Sequence, residues 1–171
     1  MSENRLHPAS LDVAQLASQC ETKRTKRSGP GGQNRNKVET TVVLLHRPTG
    51  IGAEASERRT QGENLRVAYF RLRVNLALEV RLPFVPGTPP SPLWQSRCRG
   101  GRITVNVEHD DFPSILAESL DVLAAQKMDV KAAAESLACT HSQFTKFLKS
   151  EPRALGMVNA HRREAGLHPL K

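Results

Sequence analysis

Aromatic side chains and cysteines are scarce in this chain. Only 4% of its 171 residues are aromatic, which predicts small cores built from Leu, Val and Ala rather than one large core. The cysteines are far apart and include no Cys-x-x-Cys pair, so we expect free thiols in a reducing cytosol and no zinc site. The three cysteines are Cys20, Cys98 and Cys139.

Long hydrophobic runs are also absent. No apolar stretch approaches the roughly 18 residues that a membrane-spanning helix needs, and no basic amphipathic anchor stands out. The first residues, Met1–Arg5, include an early acid and lack the apolar segment of a signal peptide. We therefore expect a cytoplasmic monomer with no membrane partner.

The charge of the chain is positive and unevenly distributed. The formal net charge is +8, and 38% of the residues are hydrophobic, enough to build a core. Through Arg81 there are 14 Lys and Arg against 8 Asp and Glu, whereas the remainder has 11 against 9. A basic first half predicts a polyanionic partner, of which nucleic acid is the commonest.

A glycine-rich stretch stands between two basic, polar runs. It reads Ser28-Gly29-Pro30-Gly31-Gly32-Gln33-Asn34. Three glycines and a proline in four positions cannot lie inside a helix or strand, so the stretch is predicted to be a loop. The nucleotide-binding patterns GxxxxGK[ST] and GxGxxG do not fit it. On spacing alone, an ordinary glycine-rich surface turn is the favoured explanation over a ligand-binding loop.

The segments around this loop predict a small sheet. Ser10 is a candidate cap for a short helix over Leu11–Cys20. Val38–His46 is rich in β-branched residues and predicts a strand, and Ile51–Ala55 would be the return strand of a hairpin. Residues 57–81 are ambiguous, because their apolar positions fit both a helix and an alternating strand.

Prolines dominate residues 82–101 and predict a stiff, extended linker. We expect Trp94 within it to dock on a neighbouring surface, since an isolated exposed Trp in a linker is unusual. Ile103–Val107 alternates as a short strand would. The sequence His109-Asp110-Asp111 has no partner cluster for a metal site.

From Phe112 onward, the apolar spacing predicts four helices. Thr140 and Gln143 are typical of a capping box that opens the third, and the fourth runs from about Glu151 and stops at Gly166. The second and third helices have the dimensions of a helix-turn-helix, but a small helical bundle packed on itself is the favoured interpretation. In the helix-turn-helix case the exposed nucleic-acid contacts would be Ser142, Gln143, Lys146 and Lys149.

The glycine-rich stretch belongs to a longer ordered pattern. Its blocks are Lys26–Thr40, Leu45–Ile51, Glu57–Gln61 and Asn64. In this order and without gaps, they resemble the catalytic domain of class I peptide chain release factors, from about Thr22 to Arg81. The resemblance covers roughly a third of the chain. It departs from the family at Arg35, where a small apolar residue is usual.

The resemblance implies an α+β fold, with a small β-sheet, a long helix packed on it over residues 57–81 and a helical module behind it. The expected organisation is an N-terminal tail and short helix (1–21), a catalytic domain (22–81), a proline-rich linker (82–101) and a helical, helix-turn-helix-like C-terminal module (102–171).

The implied reaction is hydrolysis of peptidyl-tRNA on the ribosome, with large-subunit rRNA and peptidyl-tRNA as partners. Gly31, Gly32 and Gln33 would be catalytic, the glycines allowing the backbone path that aims the Gln33 N–H at an oxyanion. Five cations would contact rRNA phosphates: Arg24, Lys26, Arg27, Arg35 and Lys37. The resemblance implies no metal or cofactor. N5-methylation of Gln33 is common in the family, and a glutamine methyltransferase would then be a further partner.

Two hypotheses about function follow. Nothing here resembles the codon-reading tripeptides of full release factors, and few residues precede the basic segment. The first hypothesis is therefore a short, codon-independent factor that terminates translation or rescues stalled ribosomes. The second is a non-catalytic ribosome- or nucleic-acid-binding protein built on a release-factor scaffold. His46 is expected to be structural rather than catalytic.

Overall fold

The computed structural model describes residues 6–26 and 40–171. The chain forms two compact units, Met1–Leu76 and Ala77–Lys171. No helix within the described residues is long and apolar enough to cross a membrane.

A three-stranded antiparallel sheet is the centre of the first unit. Its strand order is β1-β2-β3. Asp12 rather than Ser10 caps the short helix before it, because the Asp12 carboxylate accepts a hydrogen bond from the Gln15 N–H at 2.7 Å. Ser10 instead ends a short 3-10 turn, Pro8–Ser10. The elements are α1 (Val13–Gln19), β1 (Cys20–Thr25), β2 (Thr41–His46) and β3 (Ile51–Ala55).

One long helix, α2 (Gln61–Glu79), follows the sheet. This confirms the helix implied by the release-factor resemblance over the alternative of a strand. Thr60 and Glu63 form a capping box at its start: the Glu63 carboxylate accepts from the Thr60 N–H at 3.1 Å, and the Thr60 hydroxyl accepts from the Glu63 N–H at 3.2 Å. Arg71 and Asn75 donate to the carbonyls of Glu54 and Gly52, which fixes the helix against β3.

The second unit is mainly helical. It holds a two-stranded hairpin and five helices among its described elements. They are α3 (Pro92–Arg97), β4 (Cys98–Arg99), β5 (Arg102–Ile103), α4 (Phe112–Ala125), α5 (Val130–Ser136), α6 (His141–Lys149) and α7 (Pro152–Glu164). Together the two units give the predicted α+β class, a small sheet with a long helix followed by a helical module.

The core of the second unit forms around its aromatic residues. Trp94 is 1% exposed, and its indole N–H donates to the Leu137 carbonyl at 2.7 Å. Phe147 meets Trp94 edge-on at 6.3 Å between ring centroids and Phe112 at 5.6 Å. The predicted docking of Trp94 is confirmed.

Two local expectations need correction. Residues 92–97 are helical rather than extended, because the Ser91 hydroxyl caps the Trp94 N–H at 3.0 Å and Pro92 occupies the first turn, where its missing N–H costs nothing. The strand expected over Ile103–Val107 is limited to Arg102–Ile103, which pairs only with the equally short β4.

Candidate functional site

The predicted catalytic residues Gly31, Gly32 and Gln33 lie outside the described residues, as do Arg27, Arg35 and Lys37. The structure describes the residues on either side of this segment. Strand β1 precedes it and strand β2 follows it, and further residues hold Thr40 in place.

The two strands beside the segment pair along their whole length. The register runs from Cys20 opposite His46 to Thr25 opposite Thr41. Antiparallel pairing over six positions brings the chain back beside the point where it left, so residues 26 and 40 are held at one end of the sheet. The two ends of the glycine-rich stretch therefore have a common anchor.

The described cations of the predicted rRNA-binding set lie in and just after β1. Arg24 is exposed on β1 and Lys26 is exposed directly after it. Neither forms an ion pair with another described residue, whereas the neighbouring Lys23 lies 3.4 Å from the Glu21 carboxylate. The side chains of Arg24 and Lys26 are thus both exposed, in the part of the sequence that leads into the glycine-rich segment.

Asn64 ties the end of the loop to the start of α2. Its side chain is fully buried. Its amide nitrogen donates to the carbonyl of Thr40 at 2.7 Å and of Arg58 at 3.1 Å, and its amide oxygen accepts from the Arg58 N–H at 2.9 Å. Sequence reasoning noted Asn64 only as part of the resemblance. The hydrogen bond to Thr40 could not be predicted from the sequence, because Thr40 lies 24 positions away in the chain.

His46 is a structural residue, as expected. It is 1% exposed, and both ring nitrogens have partners: Nδ1 lies 2.8 Å from the Thr49 hydroxyl and Nε2 lies 2.9 Å from the Gln19 amide oxygen. Since the Gln19 oxygen can only accept, Nε2 carries the proton and Nδ1 accepts from Thr49. Burial lowers the pKa of His46 below its ordinary value of 6.5, which favours this neutral form.

The four predicted contacts of the second unit all lie on α6. Ser142, Lys146 and Lys149 are exposed, and Gln143 is half-buried. The opposite side of α6 buries Phe144 and Leu148. The described residues contain no group of three or more His, Cys, Asp or Glu side chains placed to hold a metal ion.

In the sequence, the basic glycine-rich segment lies between β1 and β2 of a small antiparallel sheet, and one long capped helix follows that sheet. Residues 11–82 match the RF-1 domain family. This part of the chain is therefore a domain of the release-factor type.

Several release factors are similar to this domain. The chain is 46% identical over 52 residues to a chloroplastic peptide chain release factor of Arabidopsis thaliana, covering 30% of this chain and 11% of the relative. It is 36% identical over 78 residues to an uncharacterised mitochondrial release factor-like protein of Saccharomyces cerevisiae, covering 45% of this chain and 50% of the relative. It is 50% identical over 50 residues to peptide chain release factor 1 of Streptococcus pyogenes, covering 29% of this chain and 14% of the relative. The chain thus spans half, or much less, of the length of these relatives.

Proposed function

We propose that this protein hydrolyses the ester of peptidyl-tRNA on the ribosome, in translation termination or ribosome rescue. The observation that carries the proposal is the position of Gly31-Gly32-Gln33. The tripeptide lies within the RF-1 domain match and between two fully paired strands. Asn64, buried beneath the end of that segment, adds a further anchor.

The proposed chemistry needs few side chains from the protein. Water adds to the ester carbonyl, the bond to the tRNA ribose oxygen breaks, and the products are the free peptide acid and deacylated tRNA. The intermediate carries a negative oxygen, which a fixed backbone N–H stabilises. We assign that N–H to Gln33, and the Gln33 side chain would shape the pocket for water. The glycines leave room for this backbone path.

Binding to the ribosome would come from the basic residues beside the loop. Arg24 and Lys26 carry this part of the proposal among the described residues, since both are exposed and unpaired there. Phosphate contacts of this kind position a protein without reading sequence. We extend the assignment to Arg27, Arg35 and Lys37, which lie in the same segment of the sequence.

We further propose that release is codon-independent. The RF-1 match is followed by a unit whose described helices pack around Trp94, and the sequence contains no tripeptide like those that read stop codons. On this proposal the protein acts on ribosomes whose A site lacks a stop codon.

The test is peptide release from purified ribosomes carrying labelled peptidyl-tRNA, with truncated mRNA, a stop codon or a sense codon in the A site. We expect release on truncated mRNA, abolished by Gly32→Ala. Gly62→Ala is the matched control, because a Cβ on Gly62, in the first turn of α2, meets nothing within 4 Å. Release only at a stop codon would contradict codon independence. No release on any complex would overturn the proposal that the protein is an enzyme. It would leave the alternative of a non-catalytic ribosome- or nucleic-acid-binding protein.

A further inference from the structure

An open groove lies between the β4–β5 hairpin and α6, in the second unit. Its volume is about 460 Å³. Its lining includes the apolar residues Ile103 and Phe147, the cations Arg102 and Lys146, and the amide residues Gln143 and Asn106. The release-factor domain, residues 11–82, does not include any of these residues.

The walls of the groove are fixed to each other. Gly100 and Gly101 have φ of +56° and +76°, the conformation of a tight hairpin turn. The Gly101 carbonyl accepts from the Thr140 N–H at 3.0 Å, and the Thr140 hydroxyl caps α6 through the Gln143 N–H at 3.2 Å. Thr140 therefore connects the two walls: its backbone binds the hairpin turn, and its side chain caps the helix.

A short turn joins α5 to α6. Ala138 lies in the left-handed region at φ +52°, between the end of α5 and the cap of α6. In helix-turn-helix proteins the second helix presents its exposed side to nucleic acid. Here that side carries Ser142, Lys146 and Lys149.

The charged side chains of the hairpin and of α6 all have one sign. Arg99 and Arg102 face each other across the hairpin, and Lys146 and Lys149 are one helical turn apart. None of these four forms an ion pair with any residue in the described part of the chain. Neither 98–107 nor 140–150 contains an Asp or Glu.

Two of the nearby acids, Asp111 and Glu151, are engaged with arginines of their own. Asp111 holds Arg97, whose Nε and Nη2 lie 2.8 and 2.6 Å from one carboxylate oxygen. Glu151 accepts from Arg153 Nε at 2.9 Å. Glu108 follows the groove residues in sequence and is exposed. Two cations without an acidic partner among the described residues line the groove, Arg102 and Lys146, and Arg99 and Lys149 lie next to them on the same two elements. This arrangement is suited to a chain of phosphates.

We propose that this groove and the exposed side of α6 bind the phosphate backbone of RNA. The cations on both walls would contact successive phosphates, and the amides of Gln143 and Asn106 would bind sugar or base edges. The choice of RNA rests on the proposed function, which places the protein on the ribosome. The groove would give the chain a second RNA contact, separate from the catalytic domain.

The test is the affinity of the full chain for a fluorescently labelled RNA hairpin, measured by anisotropy over a range of salt concentrations without ribosomes. We expect Arg102→Glu/Lys146→Glu to weaken binding about tenfold and to lower the salt slope by about two, as expected for two lost phosphate contacts. Lys131→Glu/Arg163→Glu makes the same change of charge at exposed positions of the same unit outside the groove, and should change affinity by less than about twofold.

A second measurement locates the contact. An RNA containing 4-thiouridine, cross-linked to the full chain and mapped by mass spectrometry, should label peptides that contain residues 98–106 or 140–150. Trp94 is the single tryptophan and contacts Phe147 beneath the groove, so an unchanged emission spectrum shows that the charge variants are folded.

Equal affinities of the groove and control variants, or cross-links confined to the first unit, would overturn the inference. Tighter binding to a DNA duplex of the same sequence would overturn the choice of RNA. RNA binding is measured without ribosomes, so it is independent of peptide release. If the wild type releases no peptide but the groove variant binds RNA more weakly, only the proposed function is contradicted. If the wild type releases peptide but the groove variant binds RNA normally, only the groove proposal is contradicted.

Discussion

The Asn64 amide donates a hydrogen bond to the backbone carbonyl of Thr40 at 2.7 Å, at the point where the chain returns from the glycine-rich segment to β2. The same side chain exchanges two hydrogen bonds with the backbone of Arg58. One fully buried side chain thus couples the start of α2, the preceding turn and the end of the proposed catalytic loop.

Asn64→Asp tests this coupling with almost no change in shape. Aspartate loses both N–H donors and sets a carboxylate against the carbonyls of Thr40 and Arg58. We expect a loss of about 2–3 kcal/mol in the free energy of unfolding, measured by urea titration with circular dichroism. Peptide release should fall as well.

Asn75→Asp is the matched control for that change. Asn75 lies on the same helix, and its amide donates to the Gly52 carbonyl at 2.8 Å, but it is only half-buried. Its substitution should cost less than Asn64→Asp and leave peptide release near that of the wild type. Equal effects at the two positions would mean that Asn64 has no special role in supporting the loop.

His46 should make the first unit less stable in acid. Its folded pKa lies below 6.5, so the unfolded chain takes up the proton first as the pH falls. The stabilisation is therefore complete above pH 6.5 and is lost as the pH drops towards the folded pKa. Hydrogen–deuterium exchange of a peptide covering residues 41–46 should show faster exchange at pH 5 than at pH 7, after correction for the intrinsic rate.

His46→Gln provides the comparison, since glutamine does not titrate. It should lower protection at pH 7, because the paired imidazole is lost, but the further loss at pH 5 should be smaller than in the wild type. The same pH dependence in both proteins would rule out His46 as its source.

Asp121 should have the opposite effect in the second unit. Burial raises the pKa of Asp121 from 3.8 to about 6, although Arg81 Nη1 and the Leu82 N–H donate to its carboxylate at 3.1 and 3.0 Å. The folded state thus binds the proton more readily than the unfolded state, so stability is present below pH 3.8 and is lost as the pH rises through about 6. Urea titrations followed by Trp94 fluorescence should give a smaller change between pH 5 and pH 7 in Asp121→Asn than in the wild type.

Gly101 and Gly100 give a matched pair of substitutions in the hairpin turn. Both have positive φ, so alanine at either costs about 1 kcal/mol of backbone strain. A Cβ on Gly101 would also lie 3.1 Å from Thr140 Cγ2, whereas one on Gly100 meets nothing within 4 Å. We expect Gly101→Ala to be the more destabilising by roughly 1 kcal/mol in urea titrations followed by Trp94 fluorescence. Equal losses would show that the approach to Thr140 is not restrictive.

The ends of several elements could be predicted from local sequence, because their caps are local. Thr140 caps α6 as expected, and α7 ends just before Gly166, which has φ +73°. The signal for α2 was also available: Thr60 and Glu63 have the spacing of a capping box and exclude a strand start there. Ser91 followed by Pro92 is the corresponding signal for α3, which the overall proline content concealed.

Long-range relationships could not be predicted in this way. The hydrogen bond of Asn64 to Thr40 and the contact of Gly101 with Thr140 depend on how elements far apart in sequence pack. Arg102, on the other wall of the groove from Lys146, was missed for the same reason. Helical spacing identifies the exposed residues of α6, but it contains no information about which strand lies beside them.

The strand β1 has a further consequence for the protein as a whole. Among residues 6–26 and 40–171 it pairs with β2 alone, and its residues from Glu21 to Thr25 are exposed. An unpaired edge of this kind can recruit a strand from another molecule and begin aggregation. Charged side chains on an edge strand oppose such pairing, so Arg24, proposed above to contact rRNA, would also protect the sheet from pairing with other copies of the chain.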